Sequence, residues 1–181
     1  MADADLMAVA EDLRRLAGRV AALEDELAIH RLIVTYGFAV DVGDSDRTAA
    51  LFTEDTLYDV DKTLVMKGRT GVRDMVRGGN HQSLLPNCAH TIGPAVVRVD
   101  GDTAVATAYS RIYLRKPGRI ELWRLSFNRF ELERCGGSWR IARRVTRLLG
   151  HDEAGAIFAR ELADAPDPTV TARETAHRTS D

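Results

Sequence analysis

The chain has 181 residues, 45% of them hydrophobic, and a net charge of −2. That suits one domain with a real core plus tails, and it offers no global attraction to nucleic acid or to acidic membranes. Cys88 and Cys135 stand far apart with no CxxC, so neither a disulfide framework nor a zinc site is suggested, and each reads as a free thiol.

Residues 6 to 27 open the chain with Leu6, Val9, Leu13, Leu16, Val20, Leu23 and Leu27, spaced alternately three and four apart. This is a three-heptad seam, narrow enough for helix pairing, and it predicts a self-associating helix over residues 1–27 and a homo-oligomer, dimer or trimer. Residues 28–42 continue helically, with Leu32, Ile33, Tyr36, Ala39 and Val40 on one apolar face. GDSD then breaks the helix. TAALFTED reads as a short helix that ends before a strand. TLYDV and TLVMKG read as two short strands around an Asp-Lys turn, and RTGVRDMVRGG as a helix stopped by paired glycines.

From residue 88 the pattern changes to long strands. Residues 88–99 run into VDGDT, a hairpin signal, and 103–115 return. KPG and CGGS then turn the chain around a strand at 119–133, and WRIARRVTRLL follows. Helices first and an antiparallel meander after them make the class α+β, with helices on one face of a curved sheet. Residues 110–150 hold eleven Arg/Lys against three Glu. Their alternation with apolar residues marks strands with one wet face rather than a nucleic-acid surface. Residues 151–181 end in a polar, Pro-bearing stretch that reads as a loose tail or an arm on a neighbour. With no apolar run of about 18 residues and an acidic N-terminus, the expectation is a soluble cytoplasmic protein.

Asp41 stands in the last turn of a predicted helix, where the macrodipole disfavours an anion. His90, in NCAHTIG, stands near the start of a long strand. An aspartate that accepts from one imidazole nitrogen fixes the tautomer and makes the other nitrogen a better base. Such a pair suits proton abstraction from carbon. Tyr36 lies five residues before Asp41, about 140° round the helix, and its hydroxyl could donate to a substrate oxygen. On ELWRLSFNRFELE, alternation puts Arg124, Ser126, Asn128 and Phe130 on one face, a pocket floor with hydrogen-bonding groups. Tyr109 and Tyr113 are further lining candidates.

These stretches together resemble the SnoaL-like branch of the NTF2-like superfamily, which includes polyketide cyclases, scytalone dehydratase and bile-acid 7α-dehydratase. The resemblance runs through IHRLIVTYGFAVDVGDSDRTAALFTEDTLYDV, MKGRTGVRDMV, CAHTIG, VDGDTAVATAY and FNRFELERCGGSWRIARR, over residues 28–150. It implies a cone-shaped α+β barrel, open at one end, with the pocket between sheet and first helices. It also implies an Asp41–His90 pair, Tyr36 as a pocket residue, and Ser126 and Asn128 as the Ser-x-Asn pair of scytalone dehydratase. That enzyme's second pocket histidine has no counterpart in YSRIYLRKP. A pocket arginine also belongs to the family, and Arg124, Arg143 and Arg144 are all open for it.

The implied function is a lyase without cofactor or metal, a dehydratase of a small polycyclic or aromatic-like ketone, with neutral His90 as the base. A polyketide cyclase or ketosteroid-type isomerase, and a ligand-binding protein without catalysis, are the alternatives.

Overall fold

The computed structural model describes residues 2–164, with side chains from residue 5 onward. The heptad stretch and the core-facing stretch are one helix, α1 (Ala2–Asp41). Residues 5 to 24 stand almost wholly clear of the domain. From Ile29 onward α1 buries Ile29, Ile33, Tyr36 and Val40 against the sheet. Gly43, with φ +70°, turns the chain. Asp44 caps α2 (Ser45–Ala50) by accepting from the Arg47 backbone N–H at 2.9 Å.

Strand β1 (Phe52–Val60) begins inside TAALFTED, so the helix expected there is shorter. The backbone N–H of Ile141 donates to Leu51 at 2.9 Å, and Phe52 is fully buried. Tertiary pairing thus outweighs local helix preference. Asp61 and Lys62, both at positive φ, turn β1 into β2 (Leu64–Lys67). Helix α3 (Gly68–Arg77) ends at Gly78, but one short further turn follows, α4 (Gly79–Gln82).

β3 (Cys88–Asp100), β4 (Thr103–Lys116), β5 (Arg119–Cys135) and β6 (Ser138–Leu148) form the expected antiparallel meander. The sheet order is β2-β1-β6-β5-β4-β3, with β1 parallel to β6, and the curved sheet does not close. Its concave face holds Ala106, Phe130 and Leu132 against α1. Not all helices share that face. In α5 (Ala154–Asp164), Phe158 packs on Tyr109 and Phe127, which alternate with the inward residues and so belong to the other side. Residues 165–181, most of the predicted tail, lie outside the described residues.

Candidate active site

Asp41 and His90 meet. The His90 ring Nδ1 lies 2.6 Å from Asp41 Oδ1, and the His90 backbone N–H donates to Asp41 Oδ2 at 2.7 Å. A carboxylate can only accept, so Nδ1 carries a proton, and in the neutral ring Nε2 keeps its lone pair. Both side chains are mostly buried, 15% exposed for His90 and 20% for Asp41. The Cys88 thiol donates to the same Oδ1 at 3.7 Å.

Three local features bring this about. Gly37, one helical turn before Asp41, lets β3 touch α1, since a Cβ there would lie 2.6 Å from the His90 carbonyl oxygen. Alternation then puts Cys88 and His90 on one side of β3. Third, the His81 ring Nε2–H donates to the Val40 carbonyl at 2.9 Å and caps the end of α1. Its buried ring lies 6.0 Å from that of His90, centroid to centroid.

Cross-strand pairing sets out the rest of the concave face in rows. His90, Ile112 and Arg124 share the row nearest the dyad. Ser110 and Ser126 form the next, followed by Ala108, Asn128 and Thr146, then Ala106, Phe130 and Arg144. The amide of Asn128 is fully engaged: it donates to Ser110 Oγ at 2.7 Å and accepts from Thr146 Oγ1 at 2.8 Å and Arg144 Nη2 at 2.9 Å. The Arg144 guanidinium lies 4.4 Å from the ring centre of Tyr36, 4.6 Å from Tyr58 and 4.8 Å from Phe130. It is buried with no carboxylate partner among the described residues, and its Nη1 and the Ser126 hydroxyl have no hydrogen-bond partner there. Buried polar groups are seldom left so.

This geometry separates the three arginines. Arg124 pairs with Asp61 at 2.5 Å, Arg143 is exposed, and Arg144 lines the interior. Tyr36 is 3% exposed, inside the core against Phe52, Tyr58 and Arg144. Burial, and then neighbouring Tyr58, push its phenol well above the ordinary tyrosine range, so the hydroxyl stays a donor. Phe130 is the floor under Arg144. Tyr113 pairs with exposed Ala89, so it faces away from His90. Tyr109 is covered by Phe158 on the outer face. Neither tyrosine lines the interior.

The Asp41, Cys88 and His90 ligand atoms lie within 4.8 Å of one another, a spacing that could hold a metal ion. Burial, and then the Asp41 charge, push the Cys88 thiol up to about 11. At neutral pH the metal-free thiol therefore keeps its proton. A surface recess of about 600 Å³ lies elsewhere, at the β4–β5 turn among Asn87, Arg115 and Arg119; its walls are solvated and hold no acid–base pair.

His81 and Gly37 escaped the sequence reading. The available signals were a glycine four residues before Asp41 and a histidine closely following a helix-stopping glycine.

Residues 21–145 match the SnoaL-like domain model. An NTF2-like protein with a cystatin-like fold from Novosphingobium aromaticivorans is 37% identical, covers 80% of this chain and 96% of its own, and superposes with a TM-score of 0.77. A candidate aromatic ring hydroxylase from the same organism is 29% identical over 70% of this chain and 90% of its own, TM-score 0.54. A candidate scytalone dehydratase, also from that organism, is 18% identical over 70% and 85%, TM-score 0.59, a likeness of fold alone. No curated protein matches. On the extent of the domain match and the 37% relative, the chain belongs to the SnoaL-like domain family, built on the NTF2-like fold.

Proposed function

We propose that this protein is a lyase, a dehydratase that removes water from a small polycyclic or aromatic-like β-hydroxy ketone. One observation carries the reading: Asp41 grips His90 at both ring and backbone, which fixes the tautomer with Nε2 as base. Nε2 takes the proton on the carbon beside the carbonyl, and the C–H electrons move into an enolate. The Ser126 hydroxyl and Arg144 Nη1 would receive the enolate oxygen, since both lack a protein partner and face the interior. The enolate then re-forms its carbonyl, the β C–O bond breaks, and the imidazolium returns its proton to the leaving oxygen. The products are an enone and water. Tyr36 supports this site from the core, through its contact with Arg144, and Asn128 orients Arg144.

The test is turnover of a panel of β-hydroxy aryl and polycyclic ketones, read by enone absorbance and by loss of one water in the mass. Turnover should vanish in His90→Ala. A product of unchanged mass would mean isomerisation or ring closure by the same base. Turnover that survives both His90→Ala and Asp41→Asn would end the dyad mechanism.

A further inference from the structure

Helix α1 has two apolar faces. One, with Ile29, Ile33, Tyr36 and Val40, is buried against the sheet. The other is the seam that starts at Leu6, and it does not stop at Leu27. Val34 and Phe38, and Val42 just past the helix, continue it alongside the folded domain. The ten apolar residues of this stripe are between 42% and 77% exposed. At about 100° per residue they fall in a sector about 100° wide, centred roughly opposite the buried face. The stripe therefore has its back to its own core, and so long an exposed apolar surface marks an interaction site.

We infer that this stripe seats the same stripe of a second copy of the chain, the two helices running parallel and in register as a two-stranded coiled coil. The flanking charges select the partner and its direction. With Leu6, Leu13, Val20 and Leu27 at the first core position of each heptad, the flanking positions hold Asp5, Asp12, Arg19 and Glu26 on one side. Ala10, Ala17, Glu24 and Arg31 flank the other. In a parallel pair each residue of the first set meets the next heptad of the second set. Arg19 then faces the partner's Glu24, Glu26 faces the partner's Arg31, and Asp5 and Asp12 face alanines. Symmetry repeats each match, and no like charges meet. Antiparallel packing sets the first set against itself. In the two registers that keep most of the seam, Glu26 then meets Asp5 or Asp12. The stripe's position leaves both folded domains on the outside of the pair. The helix also leaves its domain at a fixed angle, because Arg134 Nη2 and Trp139 Nε1 hold Asp25 at 2.7 and 3.1 Å.

Sedimentation of the full chain should give twice its mass of 20.0 kDa. Leu16→Glu with Leu23→Glu should halve that mass and leave the domain's circular dichroism intact, since both side chains are exposed. A monomer, a trimer, or a dimer that survives both substitutions overturns the pairing. Direction is read by Leu16→Cys in a Cys135→Ser background. Parallel helices in register bring identical positions together, so mild oxidation should give a covalent dimer. A two-copy mass without that cross-link overturns the parallel register.

Discussion

At the scale of residues, the site depends on how close two backbones can come. Gly37 and Asp41 stack one turn apart on α1, and both touch His90. In Gly37→Ala the new Cβ meets a carbonyl oxygen, a backbone atom that cannot swing away, so β3 must move. Overpacking of this kind costs about 1–3 kcal/mol, and displacement of a base by about an ångström costs about 100-fold in rate. Urea unfolding and turnover of Gly37→Ala read the two losses; an unchanged rate would show that His90 does not need this approach. Arg144 separates function from stability in the opposite way. A buried guanidinium without a carboxylate is an expensive element of a core. Arg144→Met should therefore leave thermal stability equal or higher, while turnover falls about 10²- to 10³-fold, as for a lost oxyanion donor. A drop in melting temperature with full turnover would make Arg144 structural. Cys88 gives a pH test. Its thiol titrates near 11 because of burial and the Asp41 charge, so iodoacetamide should spare it at mildly alkaline pH and label it only as pH approaches that value. Asp41→Asn should hasten labelling. Labelling of Cys88 as fast as that of exposed Cys135 would contradict the contact.

At the scale of elements, two helices show what a pattern can and cannot reveal. α1 was legible throughout, because period-seven spacing and the Tyr36–Val40 face both survive in the sequence. α5 was not. Its buried face should read Ala154, Ile157, then a third apolar residue, but that third place is Glu161, 5% exposed. The carboxylate accepts from Arg98 and from Thr107 at 2.7 Å, partners 63 and 54 residues away in the chain. No local window contains them, so a buried charge looked like a solvated one. The consequence is measurable. Glu161→Ala strips two charge-assisted hydrogen bonds, one of them an ion pair, and should destabilise the fold by about 2–3 kcal/mol. Since α5 lies on the face away from His90, turnover at low denaturant should not change. A loss of activity with full stability would put α5 in the site.

At the scale of the whole molecule, the sheet order and the choice of arginine depend on pairings that a single strand does not announce. β1 lies parallel to β6 across some eighty residues of chain, and nothing in FTEDTLYDV names that partner. Within β6, Trp139 and Ile141 are buried, so plain alternation would send Arg143 inward. A bulge puts Ala142 out of step between the partners of Leu132 and Glu131, and parity flips, so that Arg144 and Thr146 point in. The dyad needed no such information, since Asp41 and His90 each stood out where the local pattern did not ask for them. The same long-range pairings make folding sensitive to acid. Arg134 joins Asp25 of α1 to β5, Arg73 and Arg77 of α3 hold Asp46 of α2, and Arg147 of β6 joins Asp59 and Glu153. Hydrogen bonds from these arginines hold Asp25 and Asp46 below the ordinary carboxylate range. Lys62 and then Arg147 do the same for Glu153; burial is the largest influence on Asp59 and raises it, but the Arg147 hydrogen bond, the Lys62 backbone N–H and the Arg147 and Arg143 charges together outweigh it. Each carboxylate is thus more acidic folded than unfolded. The stability they contribute is present above about pH 4, the unfolded range, and is lost as pH falls through the folded values. Urea midpoints should be level from pH 5 to 8 and fall steeply below about pH 4. Salt should weaken the exposed Asp46 pairs more than the Asp59–Arg147 pair, whose side chains are 16% and 5% exposed. Arg147→Met should flatten part of the acid slope. A midpoint that holds level down to pH 3 would show that these pairs do not join the elements in solution.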